Sequence, residues 1–237
     1  MKKGIYVLLS LLLFAACDKE HDSHYTIERL VSVTEYNADG TQMRVKSYKY
    51  YDDGYSVTTT LDDVLQGVSH FSYADKQEIQ TDSSVVDGVL KPSSVTTVYY
   101  HDFDRREVDS VLTVNSAGEV TLREEFTYDG SSYSVITYED TLQTAKRIIH
   151  SYYGTVSADF YSFDTESGSW KYLRNEQTVT SSEYDLTTVV VYVDNLPTEK
   201  TMYQSMTEAV EFKRYTYSDS NWTMVAYGKY KYETITI

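Results

Sequence analysis

The chain contains few cysteine, proline and glycine residues, the types that form disulfides, interrupt regular secondary structure and permit tight turns. Its 237 residues include one cysteine, Cys17, two prolines, Pro92 and Pro197, and ten glycines. A single thiol cannot form an intrachain disulfide, so we expect packing alone to stabilise the fold. The two prolines lie outside any low-complexity run, and no proline- or glycine-rich linker divides the chain. The sequence therefore predicts one domain over residues 26–237.

Patterns of catalysis and cofactor binding are also missing. There is no glycine-rich phosphate loop and no nucleophile elbow around a serine. Of five histidines, only His21 and His24 are close in sequence, and with Glu20 and Asp22 they could chelate a metal loosely. They lie in a polar stretch without a second pair of ligands, so we expect no metal. We predict no cofactor and no enzymatic activity.

The densest polar cluster is HDFDRRE, residues 101–107. Asp102 and Asp104 would share one face of a strand, and paired carboxylates can carry out acid–base chemistry or bind calcium. Arg105 and Arg106 balance the two acids, which favours a charged hairpin tip instead.

Positive charge is scarce. The chain has 21 Lys and Arg against 36 Asp and Glu, a formal charge of −15. Removing residues 1–16 would remove two lysines and no acid, changing −15 to −17. Such a chain repels a phosphate backbone, so we expect no nucleic-acid partner.

The N-terminus, MKKGIYVLLSLLLFAAC, has two lysines, an apolar run over residues 5–14, and two alanines before Cys17. The apolar run is about half as long as a membrane-spanning helix, which needs roughly 20 residues. A run of this length is typical of a secretory signal. The stretch resembles a bacterial lipoprotein signal, which implies that residues 1–16 are removed and Cys17 is acylated. An ordinary signal peptide is the alternative.

The residues after Cys17, DKEHDSH, resemble the surface-export signals of Bacteroidetes lipoproteins. Residues 17–25 would then be the lipidated cysteine and a short polar tether. The resemblance implies a lipid-anchored location at the outer membrane, exposed on the cell surface or, as the alternative, on the periplasmic face.

The body is rich in Tyr, Thr, Val and Ser, in segments such as VTTVYY and TTVVVYV that favour strands. TLQTAKRIIH and TMYQSMTEAVEF are alternative helices. One aromatic phrase recurs without gaps as YKYYDDGYSV, FTYDGSSYSV and YTYSDSNWTM. Since strand side chains alternate faces, a four-residue loop makes the flanking aromatics cross-strand partners on one face. The predicted facing pairs are Tyr50 with Tyr55, Tyr48 with Val57, and their counterparts around residues 129 and 219.

A fourth copy places Tyr161, Phe163, Trp170 and Tyr172 around DTESGS, and a looser fifth places Tyr36 and Met43 around NADGTQ. Two extra loop residues in the fourth copy preserve the facing pairs. SFDTESGSW also resembles the Asp-box turn of sialidase-like propellers, which is structural. Asp, Asn, Gly and Ser supply the turn in every copy.

TYDGSSY and YSDSNW resemble the YD repeats of the Rhs type and related Tyr-rich repeats of Bacteroidetes lipoproteins. The resemblance is spread over residues 34–232, and no copy holds the full YD pattern. It implies an all-β structure with a structural or binding role. We therefore predict an antiparallel meander of repeated β-hairpins that forms an extended or curled sheet.

The chain has 25 tyrosines and seven phenylalanines. Tyrosine has an apolar ring and a polar hydroxyl, a combination that suits partly solvated faces of a sheet, protein interfaces and stacking on sugar rings. If the aromatic face is open it is a binding surface; if the sheet closes over it, the aromatics are core. We predict a non-catalytic binding or scaffolding role, or alternatively a glycan-binding accessory protein of a polysaccharide-uptake system. The candidate ligand-stacking residues are Tyr161, Trp170, Tyr172, Tyr217 and Trp222.

Overall fold

The structure, a computed structural model, describes residues 26–101, 107–152, 155–181, 186–204 and 211–236. The described residues form sixteen β-strands. These are β1 (Thr26–Asn37), β2 (Gln42–Tyr51), β3 (Gly54–Leu61), β4 (Val64–Ala74), β5 (Gln77–Val86), β6 (Val89–Tyr100), β7 (Val108–Asn115), β8 (Val120–Asp129), β9 (Ser132–Glu139), β10 (Leu142–Tyr152), β11 (Thr155–Asp164), β12 (Ser169–Ser181), β13 (Leu186–Val193), β14 (Leu196–Gln204), β15 (Glu211–Ser218) and β16 (Asn221–Thr236).

Each strand pairs antiparallel with the next one in the chain, and β1 and β16 are neighbours, so the sheet is a closed barrel. The predicted all-β meander of hairpins is confirmed. The predicted extended or curled open sheet is wrong: closure pairs the two edge strands that an open sheet would leave exposed. By their internal contacts, Leu30–Glu233 form one compact unit, and Met1–Arg29 with Thr234–Ile237 form another. The description below concerns the first unit.

Several sequence predictions fall on other parts of the chain. The lipoprotein signal, Cys17 and the tether histidines lie outside the described residues, as do Asp102, Asp104 and the neighbouring arginines. Of the two alternative helices, TLQTAKRIIH is wrong, because it lies in β10 apart from its first residue, which is in a turn. The second begins in β14 and ends in β15, and its residues 205–210 are outside the description.

The meander gives the barrel two distinct ends. The end that contains the β1–β2 and β3–β4 turns, and each later turn from an odd-numbered to an even-numbered strand, is called the distal end. The end that contains the β2–β3 and β4–β5 turns, and each later turn from an even-numbered to an odd-numbered strand, is called the proximal end. Four distal turns have two successive residues at positive φ, as in Asp219 (φ 49°) and Ser220 (φ 64°). Such turns match the right-handed twist of paired strands, which explains the Asp, Asn and Gly at these positions.

Buried apolar side chains concentrate on one face of the sheet, which we call the inner face. Val135, on β9, is only 1% exposed, and its cross-strand neighbours on β8 and β10 are Phe126 and Arg147. Two buried clusters lie on this face at the proximal end. One contains Leu30, Val33 and Phe212 with Tyr48, Tyr203, Tyr230 and Tyr232 packed against it; the other contains Tyr100, Val108 and Val111 with Val98 and Phe126.

The inner face becomes polar towards the middle and distal part of the barrel. Arg147 donates to Glu124 at 2.9 Å, and Thr137 donates to the same oxygen at 3.1 Å. Arg174 pairs with Glu176 at 2.9 Å while lying 4.3 Å from the Phe160 ring centroid. Sixteen strands enclose a wide interior, in which paired charges remain compatible with water. Hydrophobic packing is therefore concentrated at the proximal end.

Candidate ligand-binding surface

The repeated aromatic phrase forms a hairpin in the three copies that align without gaps and in the fourth copy, which has a longer loop. Tyr50 pairs with Tyr55 and Tyr48 with Val57 in the first copy. The second copy pairs Phe126 with Val135 and Tyr128 with Tyr133, and the third pairs Tyr215 with Met224 and Tyr217 with Trp222. The fourth pairs Tyr161 with Tyr172 and Phe163 with Trp170. The predicted facing pairs are confirmed.

The predicted loop length and the fifth copy need correction. In the first copy, Tyr51 pairs with Gly54, so only two residues form the turn. Pairing extends one residue further on each strand, which leaves the facing pairs unchanged. In the fifth copy, a register shift after Glu35 pairs Tyr36 with Gln42 and not Met43. The Tyr36 ring stacks instead on Tyr227 of β16, with centroids 4.9 Å apart.

The first and second copies are proximal hairpins whose aromatics point inward. Tyr55 stacks on Phe71 with ring centroids 4.5 Å apart, and Phe126 packs against the buried Tyr100 cluster. Burial raises the pKa of Tyr48 to about 12, and it raises the pKa of Tyr55 further. Tyr48, Tyr55 and Phe126 therefore belong to the packed inner face, whereas Tyr128, next to the β8–β9 turn, is 38% exposed.

The third and fourth copies are distal hairpins whose aromatics lie on the outer face. Arg214 pairs with Ala226 on the inner face, but Tyr215 next to it pairs with Met224, so Val225 is an extra residue. Leu173 is the corresponding extra residue on β12, between Arg174 and Tyr172. A β-bulge turns the side chains beyond it to the other face. Each bulge thus places one tryptophan on the outer face: Trp222 on β16 and Trp170 on β12.

The outer aromatics form ring pairs close to the distal rim. Trp222 lies 4.9 Å from Tyr217, and Trp170 lies 5.0 Å from Phe163, centroid to centroid. The Lys200 ammonium lies 4.6 Å from the Trp222 ring and 4.8 Å from Tyr215. Both tryptophans are half-buried. Each presents part of its ring to the surroundings of the barrel.

A groove of about 360 Å³ adjoins the β11–β12 aromatics on the same outer face. We call it the Asn175 groove. Its lining residues are Asp159, Tyr172, Asn175, Gln177, Tyr192 and Asn195. Register places Asp159, Asn175 and Tyr192 side by side on β11, β12 and β13. Partial burial and the nearby Asp159 carboxylate raise the pKa of Tyr172.

The Asn175 amide is held in one orientation. Its Nδ2 donates to Asp159 Oδ1 and to Ser157 Oγ, both at 2.8 Å, and more weakly to the Ala158 carbonyl at 3.4 Å. A flipped amide would place its oxygen against the carboxylate, so the hydrogen-bond network fixes the assignment. Oδ1 is buried and has no protein hydrogen-bond partner.

A buried acceptor without a partner costs about 1–3 kcal/mol. Among the buried side-chain nitrogen and oxygen atoms of the described residues, Asn175 Oδ1 is the one in this state. Because the oxygen is fully buried, a hydroxyl in the groove does not reach it unless the wall of the groove rearranges.

A second depression, of about 450 Å³, lies at the proximal rim and includes Lys76, Tyr100 and Asp109. Its polar groups are already engaged: Lys76 donates to the His101 carbonyl at 2.8 Å, and His101 lies 3.4 Å from Asp109. It offers a ligand less than the Asn175 groove does. In the part of the chain that the structure describes, no three His, Cys, Asp or Glu side chains are grouped to hold a metal ion.

The outer face changes character around the barrel. On β3–β7, its mid-strand side chains are uncharged, as in Thr58, Ile79 and Leu112. On β8, Arg123 pairs with Glu125 at 3.3 Å, and both side chains are about half exposed. Lys200 occupies the middle of β14 on this face. A lipid-facing barrel carries an apolar band around its whole circumference, and a cation at the mid-plane costs about 2–4 kcal/mol.

The structure groups three of the five sequence-predicted aromatics, Tyr161, Trp170 and Tyr172, on one hairpin, and Tyr217 and Trp222 on another. Their role in binding a ligand stays a prediction. Sequence reasoning missed Asp159, Asn175 and Gln177. The two amides alternate within RNEQT as outer-face residues should, but the bulge at Leu173 breaks the period that connects them with Tyr172. Without that connection, the polar run is indistinguishable from an ordinary solvated strand.

The chain resembles two solved structures at the level of the fold. A crystal structure of a porin-like protein from Bacteroides uniformis has a TM-score of 0.52 and 12% identity, covering 86% of this chain and 96% of that one. A protein of unknown function from Bacteroides fragilis has a TM-score of 0.28 and 12% identity, covering 62% and 87%. The first likeness supports the all-β barrel fold. No family model and no curated protein matches the chain.

Among the described residues there is no helix of the length and apolarity needed to cross a membrane.

Proposed function

We propose that this chain is an exported, non-catalytic binding protein, anchored at the outer membrane by lipid on Cys17, whose barrel lies in water. The observation that carries the proposal is the charge at mid-strand on the outer face, where Lys200 lies on β14 and Asp159 on β11. Aromatics near a rim also occur at the interfaces of membrane-spanning barrels, but charged side chains at mid-strand are costly there. In a barrel that lies in water, Trp170 and Trp222 on the outer face are available to a partner.

The anchoring part of the proposal has two supports. The sequence before Cys17 has the charged, apolar and small-residue order of a lipoprotein signal. The outer face carries charge at mid-strand on β8 and β14, which opposes insertion of the whole barrel into lipid. The barrel fold shared with the porin-like protein is compatible with an outer-membrane location.

Glycan binding is the second candidate function. It is favoured by the Asn175 groove, in which amide, carboxylate and phenol groups lie beside exposed aromatic rings. Sugars present hydroxyls along their edges and apolar C–H groups on their faces, and both surfaces have counterparts here. A scaffolding role would use the aromatic pairs and leave the groove unused.

Replacing the lipidated residue tests the anchoring directly. We expect Cys17→Ser to move the protein from the membrane fraction to the soluble exported fraction, because no other feature would hold the barrel to lipid. Ser23→Ala, in the same tether, should remain in the membrane fraction. Cell fractionation with an alkaline wash measures both. If the Cys17→Ser protein stays in the membrane after the wash although residues 1–16 have been removed, the barrel itself is embedded and the proposal is wrong.

A further inference from the structure

We infer that the distal tips of the β3–β4 and β5–β6 hairpins form a docking surface for a basic, amphipathic protein segment, one that carries lysine or arginine beside apolar side chains. The inference rests on the proposed tethered barrel in water and names the surface and the kind of partner. It starts from aliphatic side chains that the barrel leaves exposed at these tips.

The exposed aliphatic side chains of the two hairpins form one patch, which we call the distal aliphatic patch. Its members, which are 37–61% exposed, are Val64, Leu65, Val86, Val89 and Leu90. Strands β4 and β5 are neighbours, and their register ends on this side at Gly67 and Ser84, two residues from Leu65 and Val86. The patch therefore continues from one hairpin to the next. Contiguous exposed apolar surface of this kind marks a site of interaction.

The turns that carry the patch are acidic. Asp62 and Asp63 form the β3–β4 turn, Asp87 lies in the β5–β6 turn, and all three are exposed. Lys91 is the one Lys or Arg within these two hairpins. No ion pair among the described residues includes any of the three aspartates. The patch is therefore framed by negative charge that the barrel itself does not neutralise.

Turn geometry alone does not require this charge. The three aspartates have φ between 48° and 61°, a conformation that Asn and Gly adopt equally well. Yet each of the eight distal turns contains an acid, and none contains Lys or Arg. These acids are Asp39, Asp62, Asp63, Asp87, Glu119, Asp140, Glu166, Asp194 and Asp219. Negative charge is thus a property of the whole distal rim, and at the patch it adjoins exposed aliphatic side chains.

Charge decides between the possible occupants of the patch. A second copy docked rim to rim would set carboxylates against carboxylates, and anionic lipid headgroups would be repelled in the same way. Strand β1 runs from the proximal to the distal end, so a lipid on Cys17 is joined to the proximal end and leaves the distal rim available. A protein segment with cationic and apolar side chains complements both the acids and the patch.

The test uses the full-length lipidated protein in phosphatidylcholine vesicles, with protein-free vesicles as the blank. Fluorescence anisotropy would measure binding of three labelled peptides of equal length, which alternate Lys with Leu, Lys with Ser, and Glu with Leu. We expect the Lys–Leu peptide to bind at least tenfold more tightly than the other two. Its affinity should fall between about 50 and about 500 mM salt, because screening weakens the attraction to the rim.

Two pairs of variants separate the rim from the rest of the barrel. Asp62→Asn with Asp63→Asn keeps the turn geometry and removes two charges, so we expect at least fivefold weaker binding and a smaller salt dependence. The matched control is Asp52→Asn with Asp53→Asn, in the proximal β2–β3 turn, which should bind as the unmodified chain does.

The aliphatic patch is tested in the same way. We expect Val64→Ser with Val89→Ser to weaken binding of the Lys–Leu peptide at least tenfold. Val156→Ser with Val179→Ser, on paired proximal strands, should have no effect, although these valines are also exposed, at 39% and 46%. All four valines are exposed, so the melting temperature should change little in either variant.

Three results would overturn the inference. These are equal binding by the rim variants and their proximal controls, binding of the Glu–Leu peptide as tight as that of the Lys–Leu peptide, and no binding of the Lys–Leu peptide. Self-association of the unmodified protein that the rim variants lose would also overturn it, because a second copy would then occupy the patch. The anchoring is measured separately by fractionation of the Cys17→Ser protein, so a failure here leaves that part of the proposed function standing.

Discussion

Charged side chains on the two faces of the barrel are in different chemical situations. Glu124 and Arg147, on the inner face, are 12% and 15% exposed, and Thr137 also donates a hydrogen bond to Glu124. Removing one partner of such a pair leaves an uncompensated charge, which typically costs about 3–5 kcal/mol. Arg123 and Glu125, on the outer face, are 46% and 49% exposed, a setting in which ion pairs contribute about 0–1 kcal/mol. The inner pair therefore contributes more to the stability of the fold than the outer pair does.

The inward tyrosines make stability sensitive to alkali. Burial raises the pKa of Tyr48 to about 12, above the ordinary value near 10. Below the ordinary value both states are protonated and stability is unaffected. Between about pH 10 and about pH 12 the unfolded chain loses the proton while the folded chain retains it, so unfolding becomes easier.

We therefore expect the free energy of unfolding to fall across that range, by roughly 2–3 kcal/mol from Tyr48 alone. Urea denaturation at several alkaline pH values measures the slope. Tyr48→Phe should make the slope shallower, since it removes the titrating group and keeps the ring. A free energy of unfolding that is constant up to pH 12 would contradict the inward placement of this ring.

Among the elements, the hairpins were largely predictable from the sequence. The period of two in YKYYDDGYSV determines that Tyr48 and Val57 face each other whatever the exact turn. The same pattern does not determine which face is inner. In the third and fourth copies that depends on one extra residue each, Val225 and Leu173, and neither has a distinctive side chain. Bulges follow from the twist of the whole sheet, which a local pattern does not contain.

The distal turns offer a test of element geometry. Ser220, in the β15–β16 turn, has φ 64°, a conformation that costs a non-glycine residue about 1–2 kcal/mol. Ser220→Gly should relieve this strain and, after the entropy cost of glycine, stabilise the protein by about 0.5–1 kcal/mol. Ser131 is also an exposed serine in a turn, but its φ is not positive. Ser131→Gly should therefore destabilise the protein slightly. Thermal denaturation compares the two; equal shifts would contradict the assigned turn geometry.

Closure of the barrel was not predictable from the sequence. Every local pattern describes a strand and its neighbour in the chain. Closure instead pairs β1 with β16, the two strands that are furthest apart in the sequence. The aromatic repeat predicts hairpins equally well in an open sheet. The candidate site was only partly visible for a related reason: Tyr172 belongs to the repeat, but Asp159 and Asn175 become neighbours only through pairing across the bulged hairpin.

At the scale of the whole molecule, strand number and surface chemistry point in different directions. Sixteen antiparallel strands is a porin-like number, and the barrel resembles a porin-like protein in fold. The outer face, however, carries Glu125, Lys200 and Asp159 at mid-strand, where a bilayer would meet apolar side chains. We regard the surface as the stronger guide, because lipid acts on the surface and not on strand number.

The measurement that tests this account most directly uses the two tryptophans of the chain. Trp170 and Trp222 lie on the outer face near the distal rim, where a membrane-spanning barrel would place its interfacial aromatics. The lipidated full-length protein would be reconstituted in vesicles, and tryptophan emission would be quenched either by acrylamide from water or by brominated acyl chains from lipid. We predict quenching by acrylamide and none by the brominated lipid. Quenching by brominated lipid with protection from acrylamide would show that lipid surrounds the barrel, and would contradict a tethered barrel lying in water.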